Sequence, residues 1–162
     1  KETISFRVPE WCKELTVLLD GKSVDPILCE GYAYLSVGEH FCIDLDFHIS
    51  PTFISANPMV RDNVGRVALM RGPVVYCIEG VDNGARLNRI AVSTDALAEA
   101  TEELDFHSLY SVTLPATRLK NNPSLYFDAS KSACEPMRIK CIPYFAFANR
   151  GESDMLVWMR RK

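Results

Sequence analysis

Several of the usual carriers of chemistry are missing from this sequence. Its six cysteines (Cys12, Cys29, Cys42, Cys77, Cys134 and Cys141) include no C-x-x-C pair, and no histidine lies at finger-like spacing from any of them. A structural zinc module is therefore excluded on spacing. Histidine is scarce, at three: His40 falls in a turn, His48 on the polar face of a strand and His107 in a run of undecided period. None has a metal-like or triad-like neighbour pattern, so each reads as a surface residue. There is no G-x-S-x-G, glycine-rich phosphate loop or calcium loop. The net charge is −3 with both signs interspersed, which leaves no basic stripe for nucleic acid or an anionic membrane. No apolar run approaches the roughly 18–20 residues of a membrane-spanning helix. Internal repeats and low-complexity tracts are absent too.

What is present is a chain of 162 residues, enough for one domain or two small ones with a core. The opening Lys1-Glu2-Thr3 leads straight into a strand-like alternation without a starting Met or a signal peptide, and so reads as the start of a piece excised from a longer polypeptide. Without zinc spacings, and with a chain large enough to fold unaided, the cysteines are expected to be reduced and structural, and the setting cytoplasmic. Cys42 and Cys77 sit inside apolar patterns, where a thiol behaves as a small hydrophobe.

The centre of the pattern is Asn57–Asn83. Two runs, Val67–Met70 and Val74–Ile78, flank Arg71-Gly72-Pro73, and the first is launched by Asp62-Asn63-Val64-Gly65, a turn composition. β-Branched and aromatic residues dominate runs too short for lone helices, so both are predicted strands, buried on both faces. Gly72-Pro73 is expected to form a bulge or kink, because proline lacks the ladder donor.

Around this centre the chain reads as β throughout. Thr3–Val8 sets Ile4, Phe6 and Val8 on one face. Leu15, Val17 and Leu19 alternate into Asp20-Gly21-Lys22, a hairpin signal. Ala33, Leu35 and Val37 alternate after Gly31-Tyr32, and Gly38-Glu39-His40 turns the chain. Phe41, Ile43, Leu45, Phe47 and Ile49 are expected inward, with Cys42, Asp44, Asp46 and His48 outward. Pro51 and Pro58 bracket a boundary near residue 55. Beyond it, Leu87–Val92 is a predicted strand. Asp95–Leu104 has helix-friendly composition with Thr94 as its cap, but a strand over Glu102–Leu114 fits as well; Phe106 and Leu109 do not fix the period. Arg138–Ile142, Tyr144–Phe147 and Met155–Arg160 are predicted closing strands.

Three sets of side chains offer candidate chemistry. Asp44 and Asp46 share a strand face, and paired carboxylates suit acid–base work, although such pairs also keep an exposed sheet soluble. Arg61, Asp62, Arg66, Arg71 and Glu79 are expected to form an ion-pair network of structural character. The aromatics Trp11, Tyr32, Tyr34, Tyr76, Tyr126, Tyr144, Phe145, Phe147 and Trp158 are a potential sugar-stacking strip, against which core packing is the ordinary use.

Val8-Pro9-Glu10-Trp11, Ala56-Asn57-Pro58, Arg61–Leu69, Arg71–Glu79, Ile142–Gly151 and Met155–Trp158 together resemble the C-terminal part of glycoside hydrolase family 127, the bacterial β-L-arabinofuranosidase family. The likeness runs end to end, with residues 85–135 matching poorly. It implies an all-β fold, an antiparallel, jelly-roll-like β-sandwich, with part of a second β-sheet layer at the N-terminus. Residues 1–55 would be the last strands of a middle sandwich, and 56–162 the C-terminal sandwich. The family's active site lies in an (α/α)₆ barrel, where zinc holds a cysteine nucleophile with two further cysteines and a glutamate. This chain lacks the Cys-Cys arrangement of that site and any helical-barrel segment, so no catalytic, cofactor-binding or metal residue is assigned and no cofactor is expected here, zinc belonging to the barrel.

The function so implied is a non-catalytic support for the barrel, its partner in the same chain, with a homodimer as a further partner. The alternatives are a carbohydrate-binding module of the same enzyme and a free-standing hydrolase built on Asp44 and Asp46. This fragment alone is not expected to be an enzyme.

Overall fold

A computed structural model describes residues 2–95, 99–103 and 109–162. The chain is mostly strand, with multiple antiparallel sheets, and divides into two compact units, Lys1–Ser50 and Pro51–Lys162.

The first unit is built from β1 (Glu2–Arg7), β2 (Thr16–Leu19), β3 (Lys22–Ser23), β4 (Ile27–Cys29), β5 (Tyr32–Val37) and β6 (Ile43–Asp46). They form two three-stranded sheets, β1-β5-β4 and β3-β2-β6. Two tight turns set the registers. Asp20 and Gly21 have φ of 50° and 75°, Glu30 and Gly31 49° and 78°. Positive φ at both central positions gives the primed turn whose twist matches the strands it joins. In β5 the period of two is complete: Ala33, Leu35 and Val37 are buried while Tyr32, Tyr34 and Ser36 are exposed. Val17, Leu35 and Val37 make the core, with Ile4, Phe6, Leu15, Leu19, Val24 and Ile43 packed on it.

The Phe41–Ile49 alternation is only partly realised. The strand covers Ile43–Asp46, and Phe41, Leu45 and Ile49 keep about two-fifths of their surface exposed. β6 is an edge strand whose one partner, β2, starts opposite Asp46 at Thr16; two residues later His48 takes φ 44°, which ends the extended run. Cys42 is exposed, as its outward place in the alternation predicts, and does not pack as a small hydrophobe.

The second unit holds β7 (Pro51–Ile54), β8 (Arg66–Arg71), β9 (Val74–Glu79), the short helix α1 (Gly80–Asn83), β10 (Ile90–Val92), β11 (Glu99–Glu103), β12 (Leu109–Leu119), β13 (Cys134–Pro143), β14 (Met155–Leu156) and β15 (Met159–Arg161). Pairing runs β9-β13-β12-β10-β15-β8, and β8 pairs again with β9. The ring closes, so the sheet folds over on itself as a sandwich, with few free edges to cap. One junction, β10 with β15, is parallel. Inside lie Val67, Leu69, Tyr76, Ile78, Ile90, Val92, Val112, Leu114, Ile139, Cys141 and Met159. Each large side chain buried there contributes roughly 1.5–3 kcal/mol. On the outer face of β9 and β13, Cys77, Ile142 and Ala146 form a second cluster. The central stretch is thus buried on both faces, as its unbroken apolar runs predict.

Three local expectations are corrected. Gly72-Pro73 is the two-residue turn of the β8–β9 hairpin, not a bulge: Arg71 pairs with Val74, and Gly72 takes φ 57°. Glycine at the first turn position accepts that φ, and proline follows where no ladder donor is needed. Tyr144–Ala146 is a 3₁₀ turn rather than a strand, lying over the β9–β13 cluster. Of the two readings of 95–114, strand wins where the chain is described, since Glu99–Glu103 pairs with β12 against its helical composition. Leu104, Phe106 and His107 lie outside the described residues.

Candidate functional site

Asp44 and Asp46 stand exposed on β6. Asp46 is engaged locally: Oδ1 accepts the His48 backbone N–H at 2.8 Å, and Oδ2 lies 3.6 Å from His48 Nδ1. His48 Nε2 is in turn 2.7 Å from Thr16 Oγ1. The order carboxylate, imidazole, hydroxyl is that of a nucleophilic triad, which the sequence reading missed because Thr16 lies on another strand. It stands on an open surface, His48 and Asp46 being 39% and 66% exposed, where water is free to reach it. His40 is exposed in its turn.

The five-membered charge network does not form. Arg61, Asp62 and Arg66 are exposed, and Glu79 turns to a residue that the sequence reading did not single out. Arg150 Nη2 donates to Glu79 Oε2 at 2.6 Å and Nη1 to Asp82 Oδ1 at 2.7 Å. The hydrogen bonds that Arg150 donates to Asp82, and then to Glu79, raise its pKa against the opposing effect of burial. The Ala148 N–H donates to Glu79 Oε1 at 3.0 Å. Buried Asn83 adds three bonds, donating to the Glu79 and Lys140 carbonyls and accepting the Lys140 N–H. Arg71 instead stacks over Tyr110, 4.2 Å from the ring centroid.

The six cysteines are free thiols. Burial pushes Cys77 up to about 11, aided by the Glu79 charge, and raises Cys141 as well. Thiols so protonated are poor nucleophiles and poor ligands. Among the described residues no three His, Cys, Asp or Glu side chains converge as a metal site, so they do not fit the tetrahedral zinc that the family resemblance implies for the barrel.

The aromatics divide by environment. Trp11 packs on Phe47 at 5.8 Å between centroids, Tyr76 is buried, and Phe147 is packed on the β9–β13 cluster. Tyr32, Tyr34, Tyr126 and Phe145 are exposed. Tyr144 and Trp158 meet residues of the charge set instead. Together with Asp62, Asn63, Arg66, Met155, Leu156 and Val157 they line a cavity of about 570 Å³. The long-range β8–β15 pairing, Val67 opposite Met159 and Arg66 opposite Arg160, carries Trp158 to the start of β8. The 3₁₀ turn over Arg61–Asn63 supplies Asp62 and Asn63, and that over Tyr144–Ala146 supplies Tyr144. A wider hollow near α1, lined by Gly80, Val81, Ala85, Glu152, Ser153 and Asp154, carries no aromatic side chain.

Comparison with known proteins sets these features in a family. Residues 51–160 match the glycoside hydrolase family 127 C-terminal domain. A curated relative, the non-reducing end β-L-arabinofuranosidase of Bifidobacterium longum subsp. longum, is 35% identical over 96% of this chain and 25% of its own length. Among solved structures, a family 127 β-L-arabinofuranosidase from Geobacillus stearothermophilus T6 superposes with a TM-score of 0.86 at 34% identity, covering 99% of this chain and 26% of that one. A second family 127 β-arabinofuranosidase gives 0.84 at 27% identity, covering 99% and 28%. The chain therefore spans about a quarter of the length of the relatives it matches. On this match over most of its length, the chain belongs to glycoside hydrolase family 127, whose C-terminal domain it carries.

Proposed function

We propose that this chain is the non-catalytic C-terminal β portion of a β-L-arabinofuranosidase-like glycoside hydrolase, bracing a catalytic barrel carried elsewhere on the polypeptide and contributing to a dimer. The observation that carries the reading is the asymmetry of coverage: nearly all of this chain aligns, yet it accounts for only 26% of the solved arabinofuranosidase. The side chains agree. The triad-like array of Asp46, His48 and Thr16 is open to solvent, and the paired aspartates sit on an exposed strand.

The test is an assay of the purified chain with a nitrophenyl β-L-arabinofuranoside, beside a family-length polypeptide that includes it. The expected result is turnover by the long polypeptide, none by the chain, and a lower melting temperature for the long polypeptide when residues 51–162 are deleted. Turnover by the chain alone that survives a chelator and vanishes in Asp44→Asn would overturn the reading. A second role, carbohydrate binding, is favoured by one observation, the meeting of Tyr144 and Trp158 at a cavity that Asp62, Asn63 and Arg66 also line.

A further inference from the structure

We propose that the cavity between Tyr144 and Trp158 is a binding subsite for a neutral oligosaccharide of the arabinofuranosyl class, a site that rests on the hydrolase reading above and adds a location and a chemistry to it. At about 570 Å³ the cavity has the size of a small-ligand cleft and has room for a short oligosaccharide, not merely a single pentose. Its walls are amphipathic in the way a sugar is. Met155, Leu156 and Val157 with the two aromatic rings offer apolar surface to a carbohydrate's C–H face. Asp62, Asn63 and Arg66 offer an acceptor, an amide and a forked donor to its hydroxyls.

Two further observations favour a neutral sugar, and the hydrolase reading supplies the arabinofuranosyl class. No side chain of Asp62, Asn63, Arg66, Tyr144 or Trp158 has a hydrogen-bonding or ionic partner among the described residues. Glu79, Asp82 and Arg150, by contrast, are engaged with one another. The charges of the lining also balance, one carboxylate against one guanidinium, which suits a neutral polyhydroxylated ligand better than a phosphate or a cation. Tyr144 is 49% exposed, so its ring face is open to stack. The subsite catalyses nothing. Its use is to hold a substrate chain on the enzyme.

The chain's two tryptophans make the site directly observable, because Trp11 lies in the other unit, packed on Phe47. A Trp11→Phe variant leaves Trp158 as the sole indole reporter. Titrating that variant with arabino-oligosaccharides should give a saturable change in Trp158 fluorescence, while cello-oligosaccharides should give none over the same range. Tyr144→Ala, a change at a half-exposed position, should abolish saturation, and Asp62→Ala should weaken it at least tenfold, both with unchanged melting curves. No saturable response to the arabino series would overturn the proposal, as would an isotherm indifferent to both substitutions. Saturation by the cello series alone would overturn it too, since the arabinofuranosyl assignment fails. Failure of the parent reading appears separately, as nitrophenyl arabinofuranoside turnover by the chain, and leaves this isotherm unchanged.

Discussion

The Glu79 carboxylate, 1% exposed at the end of β9, is held by the Arg150 guanidinium at 2.6 Å. Arg150 belongs to the loop between the Tyr144–Ala146 turn and β14, and it also grips Asp82 of α1. One guanidinium thus ties a strand end, a helical turn and a distant loop. The pair's value lies less in its net attraction than in what its loss exposes, because a buried carboxylate without a partner keeps its full desolvation cost.

Arg150→Met is therefore expected to destabilise the chain by about 3 kcal/mol, the low end for a broken buried pair because Arg150 retains 25% exposure. Glu79→Gln with Arg150→Met should recover part of the loss, as a neutral amide costs less to bury. Urea unfolding of the parent, of Arg150→Met and of the double variant measures this. A double variant no more stable than Arg150→Met would show that the buried charge is not the source of the cost.

Two leucines bracket the range of sensitivity to truncation. Leu114 is wholly buried in the core, whereas Leu125, in the β12–β13 connection, is 94% exposed. Leu114→Ala should cost about 2–5 kcal/mol through lost burial and a cavity, and Leu125→Ala should stay within about 0.5 kcal/mol. Thermal melts of both variants are the check.

What the sequence disclosed follows the range of the interaction involved. The Tyr32–Val37 alternation and the Asp20-Gly21 turn are local, set by pleat and by positive φ, and both are legible by eye. The Glu99–Glu103 strand is not, because its composition favours helix and only pairing with β12 overrides it. Tyr144–Ala146 is too short to show a period, and its apolar residues cover a cluster instead of extending a sheet. The candidate subsite was legible in pieces: Asp62 and Arg66 stood among the charges, Tyr144 and Trp158 among the aromatics. Their meeting depends on the register of β8 against β15, some ninety positions apart, which no local pattern encodes.

Tyr76 and Arg71 supply a third prediction. The Tyr76 hydroxyl donates to the Tyr110 carbonyl at 2.8 Å, and burial raises its pKa while Arg71 pulls the other way. Tyr76→Phe deletes the donor and leaves that carbonyl short of a partner, for an expected loss of about 1–2 kcal/mol. Arg71→Lys keeps the charge but loses the planar face stacked on Tyr110, and should cost about 0.5–1 kcal/mol. Chemical denaturation of each variant measures both, and an Arg71→Lys protein as stable as the parent would mean that charge alone suffices there.

The last prediction concerns alkaline pH and the thiols. Cys77, 1% exposed, has its pKa raised to about 11, first by burial and then by the Glu79 charge, and burial raises Cys141 too. In the unfolded chain both thiols ionise near the ordinary value of 9. A folded pKa above the unfolded one means that the native state keeps protons which the unfolded state has released. The stability this provides is complete below about pH 9 and is lost as pH climbs toward 11. Unfolding free energy measured from pH 8 to 11 should therefore fall, and the fall should be smaller in Cys77→Ala once its cavity cost, which does not vary with pH, is subtracted. The same burial sets reactivity. At pH 8 a thiol reagent should label exposed Cys29, Cys42 and Cys134 quickly and reach Cys77 and Cys141 only at the rate of unfolding. Fast labelling of Cys77 in the native protein, read by mass spectrometry of the peptide that carries it, would show that β9 is open on its outer face and that Cys77, Ile142 and Ala146 do not seal it.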